Sequence, residues 1–278
     1  MPVEEQTRFL QELAEDLNSK NIRLPSFPDV VINIRTALED PTCSSERLAS
    51  VVRTDAVLVA RLLVAANSAF HNRAGIEITD LDLAISRLGF EVVRNTAITL
   101  AVEQIFAASE HEKLKSAIKE IWGSSLSLAS MSFVIARNAG NINADNAFLC
   151  GLLHEIGRLY ILTKATSYPK LLGDPESLKA VQDQWYASVG KSIIEAWGFS
   201  SEIAESLDDG DRVTSAGGPP SLVDVVFLAK LVLSADEPTE DDAFADPAGK
   251  LNVSAETLPM ILEAHELHAR SMRQSVGG

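Results

Sequence analysis

Apolar residues recur along this chain at intervals of three and four, and no convincing run alternates with a period of two. The first spacing lines one face of a helix and the second would line one face of a strand, so the pattern predicts an all-α fold. Phe9, Leu10, Leu13 and Leu17 share the face of a first helix. Leu24-Pro-Ser-Phe-Pro breaks it and Pro28 opens a second, which Asp40-Pro41 ends because the residue before a proline avoids the α region. Ser44 or Ser45 caps a third, with Leu48, Val51 and Val52 turned inward. Asp55 caps a fourth that carries apolar groups on nearly every side and one charge, Arg61, a pattern that predicts burial inside a bundle. Thr79 and Asp80 start a short helix that Gly89 stops. Further helices are predicted over 90–107, up to about Arg137, and over 144–163, 177–197, 200–208, 220–235 and 254–272. The Asn138–Asn143 cluster, the Ala216-Gly-Gly-Pro-Pro stretch and the acidic Asp236–Gly249 stretch read as loops.

The chain has 278 residues, enough for one or two domains with a large core. Its net charge of −15 argues against nucleic acid and anionic lipid as partners, because both need a cationic surface. Residues 200–278 hold 15 of the 39 acidic side chains and only five of the 24 basic ones, so the acidity is concentrated there. No stretch has the roughly 18 uninterrupted apolar residues of a membrane span, and the acidic start lacks the apolar core of a leader. Cys43 and Cys150 make no CxxC and no disulfide framework, which points to a reduced, cytoplasmic protein.

Few residues read as chemistry. His154-Glu155 falls in a helical stretch, but the position that would complete HExxH is Arg158, a cation that repels zinc. His265 and His268 lie three apart on the last helix, where a solvated face is the expectation. Ser124, Ser125 and Ser127 have no histidine near them in sequence and no GxSxG elbow. Trp122, Trp185 and Trp197 are spaced for helix packing rather than for stacking bases. Asn67-Ser68 closes the apolar helix, and a polar amide there is expected to hydrogen-bond local backbone.

Several segments, in order, resemble the HDOD family, the HD-related output domain of bacterial signalling proteins. Leu24-Pro-Ser-Phe-Pro, Asp40-Pro41, Thr54-Asp-Ala-Val-Leu58 and Ala65-Ala-Asn-Ser-Ala-Phe70 look like its first half. Ile78-Thr-Asp-Leu-Asp-Leu-Ala-Ile-Ser-Arg-Leu-Gly89 is similar to I-S/T-x-x-x-x-A-I-x-x-L-G. Ala147-Phe-Leu-Cys-Gly-Leu-Leu-His-Glu-Ile-Gly-Arg-Leu159 is similar to F-x-x-G-L-L-H-D-I/L-G-K/R. The resemblance runs from about residue 15 to about 210.

HDOD domains are related to HD phosphohydrolases, whose histidines and aspartates hold metal ions, and the resemblance allows each ligand position to be read. Ser124 stands where W-x-H-S has histidine. His154 is kept, with Glu155 in place of aspartate and Arg158 beyond it. Tyr186 replaces the histidine of H-x-x-V/I-G, and Asp208-Asp209 stand where relatives often carry two histidines. A metal needs a full, closed ligand set, so the resemblance implies the fold without the chemistry: no catalytic residues, no metal and no cofactor. Arg158 is expected to pair with a carboxylate and take over the charge the metal supplied. The expected architecture is an N-terminal helical layer over 1–110, packed on an HD-like helical bundle over 111–210, followed by an acidic helical extension over 211–278. The expected function is a non-catalytic regulatory module in bacterial signal transduction that works through contacts with signalling proteins. The alternative is a divergent, metal-dependent phosphohydrolase acting on a nucleotide or phosphate ester.

Overall fold

In the computed structural model, which describes residues 2–19, 28–107, 114–207, 218–234 and 247–276, every regular element among those residues is a helix. In chain order they are α1 (Pro2–Ser19), α2 (Asp29–Leu38), α3 (Ser45–Val52), α4 (Ala56–Asn67), α5 (Leu81–Leu88), α6 (Phe90–Ala107), α7 (Lys115–Ala139), α8 (Ala144–Leu153) and α9 (Ile156–Lys164). Then come α10 (Pro169–Leu172), α11 (Pro175–Ala196), α12 (Ser201–Glu205), α13 (Leu222–Ser234) and α14 (Leu258–Val276). None is long and apolar enough to cross a membrane. Residues 24–27, His111, Asp208-Asp209, Ala216-Gly217 and 235–246 lie outside the described residues.

The helices gather into two compact units. One holds α1 together with the chain from Phe106 to Ser254; the other holds α2 to α5, α6 up to Ile105, and α14. Chain order and packing therefore group the elements differently. The first helix joins the later unit, while the last helix returns to the earlier one.

In the unit formed by α2 to α6 and α14, local chemistry sets the helix ends. Ser44 Oγ accepts from the Arg47 N–H at 3.2 Å. Asp55 Oδ1 accepts from Val57 and Leu58 at 2.9 and 3.0 Å, and Asp80 Oδ1 from Leu83 at 2.8 Å. Each carboxylate satisfies N–H groups that the first turn leaves without an intrahelical partner. Gly89 ends α5 at φ 83°, a conformation that costs a residue with a Cβ. Helix α4 departs from expectation. Leu58, Leu62, Ala65 and Ala66 are buried, but Val57 and Val64 are 52% and 44% exposed. It packs against α3, α5 and α14 and keeps an apolar stripe in solvent, so its composition overstated its burial. The last helix departs too. His268 is buried with its ring 4.8 Å from that of Phe70, because α14 packs on α4 and turns this histidine inward; it is not on a solvated face. His265 is half-buried, and that burial pushes its pKa below the usual histidine value.

Two asparagines hold the loop between α4 and α5. Asn67 Oδ1 accepts from the Ile78 N–H at 2.8 Å, and its Nδ2 donates to the Ile78 carbonyl at 2.7 Å and the Leu63 carbonyl at 2.9 Å. The side-chain amide thus pairs with Ile78 as a neighbouring strand's peptide would. Asn72 Nδ2 donates to the Ile76 carbonyl at 2.7 Å, and Arg87 donates to Asn72 Oδ1 at 3.0 Å. Ser68, beside Asn67, is buried.

In the unit formed by α1 and the chain from Phe106 onward, α1 docks by mixed chemistry. The Phe9 ring meets the edge of Tyr168 at 5.1 Å, the Tyr160 hydroxyl donates to Asp16 at 2.7 Å, and Lys164 pairs with the same carboxylate. Glu5 accepts from the Lys170 N–H at 2.8 Å at the start of α10. Trp122 packs on Phe106 with ring centroids 5.2 Å apart. Cys150 is sealed in the core, and burial raises its thiol pKa to about 12. Helix α13 packs on α7 and α8.

Replacing Asn67 by Leu is expected to lower unfolding free energy by about 1–3 kcal/mol, because the backbone groups of the buried Ile78 lose both partners. Asn67→Asp, which keeps the acceptor and loses the donor, should fall between the variant and the native protein. Urea denaturation of the three proteins checks this order.

Candidate functional site

The segment Gly151-Leu-Leu-His-Glu-Ile-Gly157 carries a glycine three residues to either side of His154. Each glycine makes a different helix crossing possible. A Cβ on Gly151 would stand 2.6 Å from the Ala129 backbone nitrogen of α7. A Cβ on Gly157 would stand 2.0 Å from the Tyr186 carbonyl oxygen of α11 and 2.9 Å from the backbone nitrogen of Gly190. Only residues without a Cβ allow backbones this close. The chain does not run straight between the two crossings. The single helix expected over 144–163 is two helices, with Leu153 ending α8, Ile156 starting α9, and Glu155 at φ −91°, ψ 5° between them. An unbroken helix would turn the two glycines about 120° apart, and the break lets each meet its own neighbour. His154 therefore sits at a turn rather than mid-helix, fully buried.

This turn, α11 and α13 bring one polar cluster together. Lys230 Nζ of α13 lies 3.2 Å from His154 Nε2 and 3.3 Å from the Tyr186 hydroxyl. It stands 5.8 Å from the Tyr186 ring centroid, hence beyond the hydroxyl rather than over the ring face. An ammonium has three N–H donors and no acceptor. An ammonium set against Nε2 is received by the ring's lone pair, an arrangement that goes with a neutral imidazole protonated on Nδ1. The two rings meet edge to face at 5.6 Å.

Arg158 organises the outer side of the cluster. Its Nε lies 2.8 Å from Glu155, its terminal nitrogen 2.7 Å from Asp183, and its guanidinium 4.4 Å from the Tyr186 ring centroid. Planar guanidinium suits this combination of carboxylate pairing and ring stacking. Lys179 reaches Asp183 at 2.8 Å, and these two cations, Lys179 first, hold that carboxyl below the usual range. Gln182 Nε2 donates to the Arg158 carbonyl at 3.2 Å and ties α11 to α9 again.

Of the residues singled out in the sequence, His154, Glu155, Arg158 and Tyr186 come together. Ser124 is exposed on α7, and its neighbour Ser125 is fully buried with no hydrogen-bond partner for its Oγ among the described residues. Asp208 and Asp209 lie outside the described residues. Arg158 has its carboxylates, but the cation against His154 is Lys230, which sequence reasoning missed. One signal pointed to it: Lys230 is the sole basic residue of a largely apolar helix.

The described residues around His154 do not fit a metal ion. His154 Nε2 faces the Lys230 side-chain nitrogen at 3.2 Å, in the place a metal ion would need. Glu155 is engaged by Arg158, and Tyr186 presents a phenol that already accepts from Lys230. Among the described residues no three His, Cys, Asp or Glu side chains converge as a metal site.

Comparison with known proteins places these features in context. The HDOD domain pattern matches residues 24–211. A solved structure from Shewanella amazonensis SB2B, provisionally named a metal-dependent phosphohydrolase, superposes with a TM-score of 0.80 at 23% identity, covering 96% of this chain and 99% of that one. A structure from Marinobacter aquaeolei VT8, provisionally named a signal transduction protein, gives 0.69 at 17% identity, covering 98% of this chain and 66% of that one. An uncharacterized protein of Treponema pallidum (strain Nichols) is 23% identical over 212 residues, which span 70% of this chain and 39% of that relative's length.

Gly157→Ala is expected to cost of order 3 kcal/mol, because the methyl must push α9 away from α11. Gly123→Ala, in the exposed interior of α7 with open space around it, should instead stabilise by about 0.5–1 kcal/mol. Denaturant midpoints of the two variants, moving in opposite directions, check the assignment. Arg158→Ala should lose about 1–3 kcal/mol, since its side chain is 23% exposed and one of its carboxylates, Asp183, is 44% exposed. Arg158→Lys should recover little of this, lacking the fork and the stacking plane.

Proposed function

The chain belongs to the HDOD domain family, and from that premise we propose that it is a non-catalytic, cytoplasmic signal-transduction module that works by contact with other proteins. The observation that carries this reading is the ammonium of Lys230 against His154 Nε2. Hydrolysis in HD enzymes depends on metal ions held by histidine and aspartate. Here the retained histidine has its lone pair engaged, and two further ligand positions hold Ser124 and Tyr186. A divalent cation would have to displace a covalently tethered cation and then find its remaining ligands elsewhere.

Two further facts support a role in contacts. Val57, exposed Ala60 and Val64 lie at i, i+3 and i+7 on α4, so they form an apolar stripe open to solvent. A structurally similar protein from Marinobacter aquaeolei VT8 carries a signal-transduction name. The retained His154 is the feature on which a hydrolytic reading rests, and metal content separates the two.

Protein purified without chelator is expected to hold well under one equivalent of iron, manganese or zinc per chain. It should leave bis(p-nitrophenyl) phosphate intact when those metals are added. One tightly bound metal per chain together with turnover of the diester would establish the hydrolytic reading instead.

A further inference from the structure

We infer that Lys230 is a tethered substitute for a metal ion, the cation that joins the α8–α9 turn to α11, and that α13 is therefore part of this site rather than an appendage to it. The inference rests on the reading that the site holds no metal. Its basis is geometric. The ammonium lies within hydrogen-bonding distance of His154 Nε2 and Tyr186 Oη at once, and the sequence resemblance sets these two side chains at metal-ligand positions. A metal at such a place would accept lone pairs from side chains on different helices and so cross-link them. An ammonium does the same work with N–H bonds, donating one to the imidazole and one to the phenol.

The surroundings make this an improbable place for a lysine without such a role. Helix α13 reads Leu-Val-Asp-Val-Val-Phe-Leu-Ala-Lys-Leu-Val-Leu-Ser, and Leu222, Val223, Val225, Val226, Leu228 and Ala229 are all buried. Asp224 closes the helix start through the Ser221 N–H at 2.8 Å and the Ser221 hydroxyl at 2.7 Å. Lys230 is thus left as the one cation of an apolar helix, half-buried, with its head directed at a fully buried imidazole. Withdrawing an ammonium from water is costly unless polar partners receive it, and the His154–Tyr186 pair does so. The residue lies beyond the stretch 24–211 matched to the family.

Chemical rescue tests the assignment on the full chain. Lys230→Ala removes three methylenes and the ammonium, and n-propylammonium is the fragment that restores them. The alanine variant is expected to melt several degrees below wild type. n-Propylammonium chloride should raise its midpoint more than sodium chloride of equal ionic strength does, while leaving wild type unmoved. Lys230→Met keeps the bulk and loses the charge. It should also melt below wild type, gain nothing from the amine, and release the His154 imidazole from a single tautomer in its 15N spectrum. Should the alanine variant fail to fold, the methionine variant decides alone. A methionine variant with wild-type melting and an unchanged His154 spectrum overturns the inference, as does rescue no better than salt. Those outcomes in a metal-free wild type leave the non-catalytic reading standing, whereas stoichiometric metal in wild type removes that reading first.

Discussion

Backbone contact at glycine sets the site. Gly151 lets α8 press on α7 at Ala129, and Gly157 lets α9 press on α11 at Tyr186, so the five residues that link them are fixed at both ends by contacts that tolerate no methyl group. Gly190, one turn after Tyr186 on α11, also lies against the backbone of Gly157, and its own Cβ position is filled by Leu207. His154 lies midway between the first two crossings. Its burial, its nearness to Tyr186 and the break in the helix follow from these crossings. In a close-packed interior such crossings cannot yield by small amounts, so the cluster is held in one arrangement.

Electrostatics then decides what that arrangement does. HD-type chemistry needs lone pairs turned toward a common centre. Here the centre is supplied with N–H donors instead: an ammonium from α13, and beside it a guanidinium that has taken up Glu155 and Asp183. Both cations are matched to acceptors in hand, which makes the cluster a structural cross-link among α9, α11, α13 and the α8–α9 turn. On the proposed reading, a lysine in the metal's place keeps the fold and the polar pin at its centre, and influence on other molecules passes through the surface.

What could be read from the sequence was local. Asp55 and Asp80 cap helices because a carboxylate two or three residues before an unpaired N–H reaches it whatever the rest of the chain does, and Gly89 stops α5 for a similarly local reason. The family motifs placed His154, Glu155, Arg158 and Tyr186 in advance, and the structure gathers those four. What escaped was set by packing at long range. Nothing in periodicity alone says that the 144–163 stretch must bend at His154, because the cause is a pair of crossings with helices elsewhere in the chain. The exposure of Val57 and Val64 and the burial of His268 depend on where α14 lies against α4. Lys230 is 76 residues from the histidine it meets. It falls outside the recognised motifs, and its only mark was a single basic residue in a largely apolar helix.

The central claim is that the His154 lone pair faces an ammonium and not a metal. The 15N spectrum of the imidazole at neutral pH, in protein purified without chelator, tests it directly. A neutral ring with its proton on Nδ1 and an unprotonated, hydrogen-bonded Nε2, unchanged when chelator is added, is the predicted result. A proton on Nε2, or an Nε2 resonance that shifts when chelator strips a bound ion, would contradict it.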